Sequence, residues 1–212
     1  MELKDIVIAG NGGFAKEVAW LIERLNQKSM EWNFLGFIDN KKSAGVIGDD
    51  SFVRNRASKL HVAIGIGNVK IRRKIFEEYK ENKKVVFPNL VDPSVIMSRR
   101  VDMGEGNIIC ANSVFTVDIQ LGSFDIINLG CTIGHETKMG NFVTVNPGTN
   151  VSGNVSIGSL SEIGTGVRII QGIQVGEGTV IGAGAVIVRD IPGTCTVVGV
   201  PGKVIKFHGQ EG

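Results

Sequence analysis

The residues best suited to chemistry are His135 and Glu136, adjacent in the stretch Cys131-Thr-Ile-Gly-His-Glu136. An imidazole exchanges its proton near neutral pH, and a neighbouring carboxylate can orient the ring and raise its basicity. Together they suit a general base that takes the proton from an amine or hydroxyl as it attacks an activated acyl carbon. Cys131, four residues earlier, opens a second reading, a cysteine–histidine nucleophile pair. A third leaves His135 as a solvent-exposed turn residue. His61, at the start of a strand, and His208, in the tail, read as structural or incidental.

A second constellation lies near the N-terminus. Gly10-Asn-Gly12-Gly13-Phe14-Ala15 follows a short apolar run and opens a helical pattern. The free N–H groups and dipole at such a helix start favour a phosphate. Asp39 closes the next apolar run, which brings the spacing close to a dinucleotide fingerprint. The pattern alone leaves three readings open: a full NAD-type site, a structural glycine turn, and a nucleotide-sugar site. In the last, the turn holds phosphate and Asp39 accepts hydrogen bonds from uracil or ribose. A domain of only about 90 residues lacks the second half that dinucleotides usually span.

Bulk properties narrow the partners. The 212 residues carry 23 Lys and Arg against 21 Asp and Glu, a net charge of +2, which argues against nucleic acid or an anionic membrane as the main partner. Cys110, Cys131 and Cys195 form neither an even set nor a CxxC, and no ligand cluster with the histidines. Free thiols in a reducing cytoplasm, and no metal, are therefore expected. The N-terminus moves straight into an apolar strand, so no signal peptide or membrane span is expected.

Two rhythms divide the elements that must position these groups. Up to about residue 90, strands and helices alternate: strands over Asp5–Ala9, Phe34–Ile38, His61–Ile66 and Val85–Phe87, and helices from Phe14 to about Gln27 and from about Val69 to Lys80. The first helix places Ala15, Val18, Ala19, Ile22 and Leu25 on one face. Such alternation predicts an α/β, Rossmann-like small parallel sheet over 1–90.

From residue 97 the period becomes six. Met97, Met103, Ile109, Phe115, Leu121, Ile127, Ile133, Met139, Val145, Val151, Ile157, Ile163, Ile169, Val175, Ile181 and Ile187 form one unbroken apolar register. At 42% apolar residues such a run has a chance of roughly one in a million before allowing for phase. Three hexads that close one triangular coil satisfy this period, with each register residue stacked on the one eighteen positions away. Glycine directly follows eight of the sixteen, which suits a corner where a Cβ or a negative φ is costly. Counting eighteen from His135 along the same edge reaches Gly153, whose N–H is placed to bind an oxygen as negative charge develops on it.

With GNGGFAKEVAWLIE in front, CTIGHE in the hexads and GVPGKVIK near the end, the chain resembles the hexapeptide-repeat sugar O-acyltransferases of the sialic acid O-acetyltransferase type. It is also similar to their relatives, the N-acetyltransferases of nucleotide-linked amino sugars. The resemblance covers essentially the whole chain. It implies an all-β left-handed parallel β-helix over 91–212 with a C-terminal extension, a homotrimer with active sites between adjacent prisms, and acetyl-CoA as cosubstrate. It implies catalytic roles for His135 and Glu136 and direct transfer with no acyl-cysteine. It also implies acetyl-CoA contacts at Thr144, Thr165 and Ala183, and nucleotide-sugar contacts at Gly12, Gly13, Phe14, Asp39 and Asn40. Relatives often carry histidine where Phe14 and Thr144 stand. The activity implied is cytoplasmic acetyl transfer to an amino or hydroxyl group of a nucleotide-linked sugar, for bacterial polysaccharide or glycan synthesis. The alternatives are a non-catalytic trimeric scaffold that binds nucleotide sugars and an NAD-dependent oxidoreductase.

Overall fold

The computed structural model describes residues 3–209; the ends of the two expected domain spans, 1–2 and 210–212, lie outside the described residues. The chain forms two compact units, Met1–Pro93 and Ser94–Gly212.

The first unit contains β1 (Lys4–Ala9), α1 (Gly13–Lys28), β2 (Trp32–Ile38), β3 (Val46–Gly48), α2 (Asp50–Arg54), β4 (Leu60–Ile64), α3 (Val69–Tyr79) and β5 (Val85–Val86). Its five strands are parallel, in the order β3-β2-β1-β4-β5. Residues Ile6–Ala9 of β1 and all of β4 are buried, as expected for central parallel strands covered on both faces. The strand order reverses between β1 and β4, and open α/β sheets bind ligands outside the carboxyl ends of their strands at such a switch point. α1 buries Ala15, Val18, Leu21 and Ile22, so Leu21 takes the place expected for Ala19 and Leu25. β4 stops at Ile64 because Gly65 turns against α1: a Cβ there would lie 2.8 Å from the Cα of Ala15. β3 and α2, three and five residues long, are too short to leave a periodic signal.

The second unit is a left-handed parallel β-helix with three faces. The first runs through Ile96–Met97, Val114–Phe115, Thr132–Ile133, Asn150–Val151, Arg168–Ile169 and Val186–Ile187. Partners stand eighteen residues apart throughout, for example Phe115 with Ile133 and Ile133 with Val151. Register residues from Ile109 to Ile187 are buried, while Met97 and Met103 in the opening coil are half-buried. The closing coil is shortened, pairing Ile181 with Val197, and a hairpin of Cys195–Val198 and Lys203–Phe207 follows.

Two details differ from the sequence reading. From Asn107 on, each hexad buries a second residue, two positions before the register residue, and many of these are small and polar. Ser113, Thr137, Thr149, Ser161 and Thr179 are fully buried, and their hydroxyls donate to the carbonyls of Asn128, Ser152, Gly164, Gly176 and Pro192. Each buried hydroxyl thus has a corner carbonyl as its partner, which an apolar count overlooks. The glycines that follow register residues are also not there for backbone conformation. Positive φ falls two residues later, at Asn112, Asp118, Phe124, Gly130, Glu136, Phe142, Gly148, Asn154 and onward. The earlier glycines allow close stacking: a Cβ on Gly134 would stand 2.6 Å from the backbone N of Gly153 in the next coil.

Candidate active site

His135 and Glu136 leave the β-helix at the corner that follows Ile133, and both side chains are about half exposed. Nδ1 of His135 lies 3.0 Å from Oε2 of Glu136. A carboxylate only accepts, so Nδ1 carries the proton and Nε2 turns a lone pair outward. Glu136 reaches this place from a left-handed backbone, φ 60°, a conformation that non-glycine residues adopt only at a cost. Its own N–H donates to the carbonyl of Val117, and the His135 carbonyl accepts from Asn154 in the next coil at 2.6 Å. Both backbone groups are thus fixed by neighbouring coils.

Gly153 lies under the imidazole. A Cβ on it would stand 2.2 Å from Nε2 and 2.4 Å from Cε1 of His135, so only glycine lets the ring lie there. Gly153 is itself buried, and among the described residues its N–H meets no acceptor. A neighbouring corner handles the same position differently: the Ser123 N–H donates to Oδ1 of Asn141, and the Asn141 N–H to Oγ of Ser159. The histidine edge therefore carries an imidazole oriented by a carboxylate and an unused N–H donor side by side. A groove of about 500 Å³ opens two residues past Glu136, lined by Lys138, Met139, Ser156, Gln174 and Asp190 among others.

Thr165 and Ala183 are exposed and stacked one coil apart, with the Gly184 N–H donating to the Thr165 carbonyl. They occupy a different edge of the triangle from His135 and Gly153. Thr144 is only 3% exposed, so it offers no open surface to a ligand in this chain. Cys131 is fully buried in the second inward column and points its thiol at the Asn146 carbonyl, 3.3 Å away. Burial pushes its thiol up to about 11, against a nucleophilic role. His61 is buried against Trp32, with Nδ1 3.1 Å from the Asp5 carbonyl, and burial lowers its pKa. His208 meets Thr196 across the C-terminal hairpin.

In the first unit, Gly12 and Gly13 form the open start of α1. No side chain caps that terminus, and a Cβ on either glycine would meet nothing within 4 Å. Neither glycine is required by φ or by packing within the chain; Gly10, at φ +95°, is. Phe14 is half-buried beside them. Asp39 and Asn40 line a cleft of about 180 Å³ with Gly10, Asp50, Ile71 and Tyr79, at the carboxyl ends of β1 and β2. The sequence reading missed Asp50 and Tyr79, because nothing in their spacing ties them to Asp39. Among the described residues, no group of three His, Cys, Asp or Glu side chains could hold a metal ion, and no helix is long and apolar enough to cross a membrane.

Comparison with known proteins finds the same fold in sugar acetyltransferases. Residues 5–79 match the PglD N-terminal domain family. Over 95% of its length the chain superposes on the whole acetyltransferase domain of PglB from Neisseria gonorrhoeae, with TM-score 0.90 and 32% identity, and that domain has also been solved with acetyl coenzyme A. PerB from Caulobacter crescentus, solved with CoA and GDP-perosamine, matches over 97% of this chain and 99% of its own, with TM-score 0.88 and 29% identity. WeeI from Acinetobacter baumannii matches over 95% of this chain and 100% of its own, with TM-score 0.85 and 27% identity. No curated protein sequence matches. A PglD-type domain, a left-handed β-helix and 32% identity across the full PglB domain place the chain in one family: it belongs to the acetyltransferases represented by the PglB acetyltransferase domain.

Proposed function

We propose that the protein transfers an acetyl group from acetyl-CoA to the amino group of a nucleotide-linked sugar. The observation that carries this reading is the stacking of His135, oriented by Glu136, over the free N–H of Gly153. Nε2 takes the proton of the amine as its nitrogen attacks the thioester carbonyl carbon. The imidazolium so formed is stabilised by Glu136, and the Gly153 N–H donates to the oxygen that gains negative charge. Collapse expels the coenzyme thiolate and leaves the amide; the proton on Nε2 then passes to the thiolate. A placed general base contributes about 10²–10⁴ in rate, and one oxyanion donor about 10²–10³. Cys131 takes no part.

The acceptor reading is supported by the relatives. PerB is a perosamine N-acetyltransferase solved with GDP-perosamine, and this chain has an open glycine turn above a cleft that contains Asp39 and Asn40. In this reading Gly12, Gly13 and Phe14 hold the phosphates, while Asp39 and Asn40 take the nucleoside.

A homotrimer follows from the same reading. Thr165 and Ala183 sit on another edge than His135, and in this reading the coenzyme arm reaches both from between two prisms. Exposed Val117, Ile170 and Val188 at the histidine corner fit burial against a second copy. Thr144 contacts the coenzyme only if its present cover moves.

A panel of UDP- and GDP-linked amino sugars and CMP-sialic acid with acetyl-CoA, followed by thiol release and mass spectrometry, tests the function. An N-acetylated nucleotide sugar is the expected product. Transfer only to sugar hydroxyls, or acetyl-CoA binding with no transfer to any of them, contradicts it.

A further inference from the structure

We propose that Asp50 is a specificity-determining residue of the nucleotide cleft, held in place by Tyr79, and that the cleft selects its nucleoside through that nucleoside's hydrogen-bond donors. This rests on the nucleotide-linked acceptor proposed above.

The cleft contains a buried group that the acetyl-transfer chemistry does not use. Tyr79, the last residue of α3, is fully buried. Its hydroxyl donates to Oδ1 of Asp50 at 2.5 Å, and Oδ2 of Asp50 accepts from Nδ2 of Asn40 at 3.2 Å. Burial and the neighbouring carboxylate raise the Tyr79 pKa far above its ordinary value, so the hydroxyl remains a donor at any working pH. The carboxylate of Asp50 is thereby fixed from behind, while the residue stays partly open at the cleft.

The rim of that cleft is rich in acceptors. Oδ1 of Asp39 takes the N–H of Lys41 at 2.9 Å, and among the described residues Oδ2 has no hydrogen-bond partner. Asn40 commits an amide N–H to Asp50, and Tyr79 commits its only proton there. What remains for a ligand are carboxylate oxygens of Asp39 and Asp50 and the carbonyl and second amide N–H of Asn40, so acceptors predominate. Ile66, Ile71 and Ile75 supply an apolar wall against which a flat ring or the face of a ribose can pack. Such a rim needs donors from its ligand. A nucleoside has two sources: the 2′,3′-diol of ribose, and the N1–H and 2-amino edge of guanine. The uracil edge offers one N–H flanked by two carbonyls, which carboxylates repel.

The test uses titration calorimetry on the full chain with GDP, IDP, UDP, their 2′-deoxy forms and inorganic pyrophosphate. Because a hydrogen bond to a charged group is strong, removing the donor group that meets Asp50 should weaken binding by about tenfold. A drop from GDP to IDP assigns the base, and a drop from ribo to deoxy forms assigns the sugar. Asp50→Asn, nearly isosteric, should erase that discrimination and leave pyrophosphate affinity unchanged. Tyr79→Phe, which keeps the buried ring, should reduce the discrimination and raise KM for the nucleotide sugar, with the effect on KM rather than kcat. Thermal melts of both variants establish that they fold. Discrimination intact in Asp50→Asn, or pyrophosphate binding weakened in parallel, overturns the proposal while the nucleotide reading stands. If the unaltered protein binds none of the nucleotides, the nucleotide reading itself fails and takes this inference with it.

Discussion

The imidazole of His135 lies flat against Gly153, one coil further along the β-helix, and any side chain at residue 153 would occupy the space of Nε2. Gly153 has no positive φ, so an alanine there strains no backbone and only displaces the ring. Gly153→Ala should therefore lower kcat by about 100-fold, the scale expected for losing a placed base or an oxyanion donor, with a melting temperature within a few degrees of the parent. Steady-state kinetics and a thermal melt check both halves. Equal losses of activity and stability would point to a packing role instead.

Glu136 separates stability from activity in another way. Elsewhere glycine destabilises relative to alanine, but at φ 60° the order should reverse. Glu136→Gly should be more stable than Glu136→Ala by about 1 kcal/mol, since a left-handed residue with a Cβ costs about that much. Both should lose activity equally, because both remove the carboxylate from Nδ1. Denaturant unfolding of the two variants reads the difference.

Cys131 stands four residues from His135 but faces the other way. Its thiol is buried and raised from an ordinary 9.0 to about 11, so iodoacetamide should leave it unmodified in the folded protein and alkylate it once unfolded. Cys131→Ser should keep the transfer rate within about twofold, because Ser113, at the equivalent position one coil earlier, already bonds the matching carbonyl in this way. A large loss of transfer in that variant would revive the cysteine nucleophile.

His61 gives the first unit an acid limit. Burial favours its neutral form, so its folded pKa lies below the ordinary 6.5. As pH falls through 6.5 the unfolded chain binds the proton first, and stability drops in that window. Above it the contribution is complete. His61→Phe should flatten the fall in melting temperature between about pH 6.5 and pH 5, compared with the parent.

The architecture was legible because its signal is long: sixteen register residues at one spacing, and strands of the first unit with unbroken apolar runs. His135, Glu136 and Gly153 could be placed by counting, since eighteen residues carry the chain once around the triangle. What escaped was local or three-dimensional. The buried serines and threonines look like surface residues until the corner carbonyls they serve are seen. The corner glycines suggested backbone freedom, yet they mark close approach between coils. Asp50 and Tyr79 meet Asn40 only because α2 and the end of α3 converge on the carboxyl end of β2, a juxtaposition that no sequence period encodes.

The most direct test is the transfer rate of His135→Ala with saturating acetyl-CoA and the nucleotide amino sugar that the parent uses. Loss of the general base should lower kcat at least about 100-fold, with KM for both substrates changed little. A variant that keeps more than a tenth of the parent rate would contradict the assignment of His135 as the base.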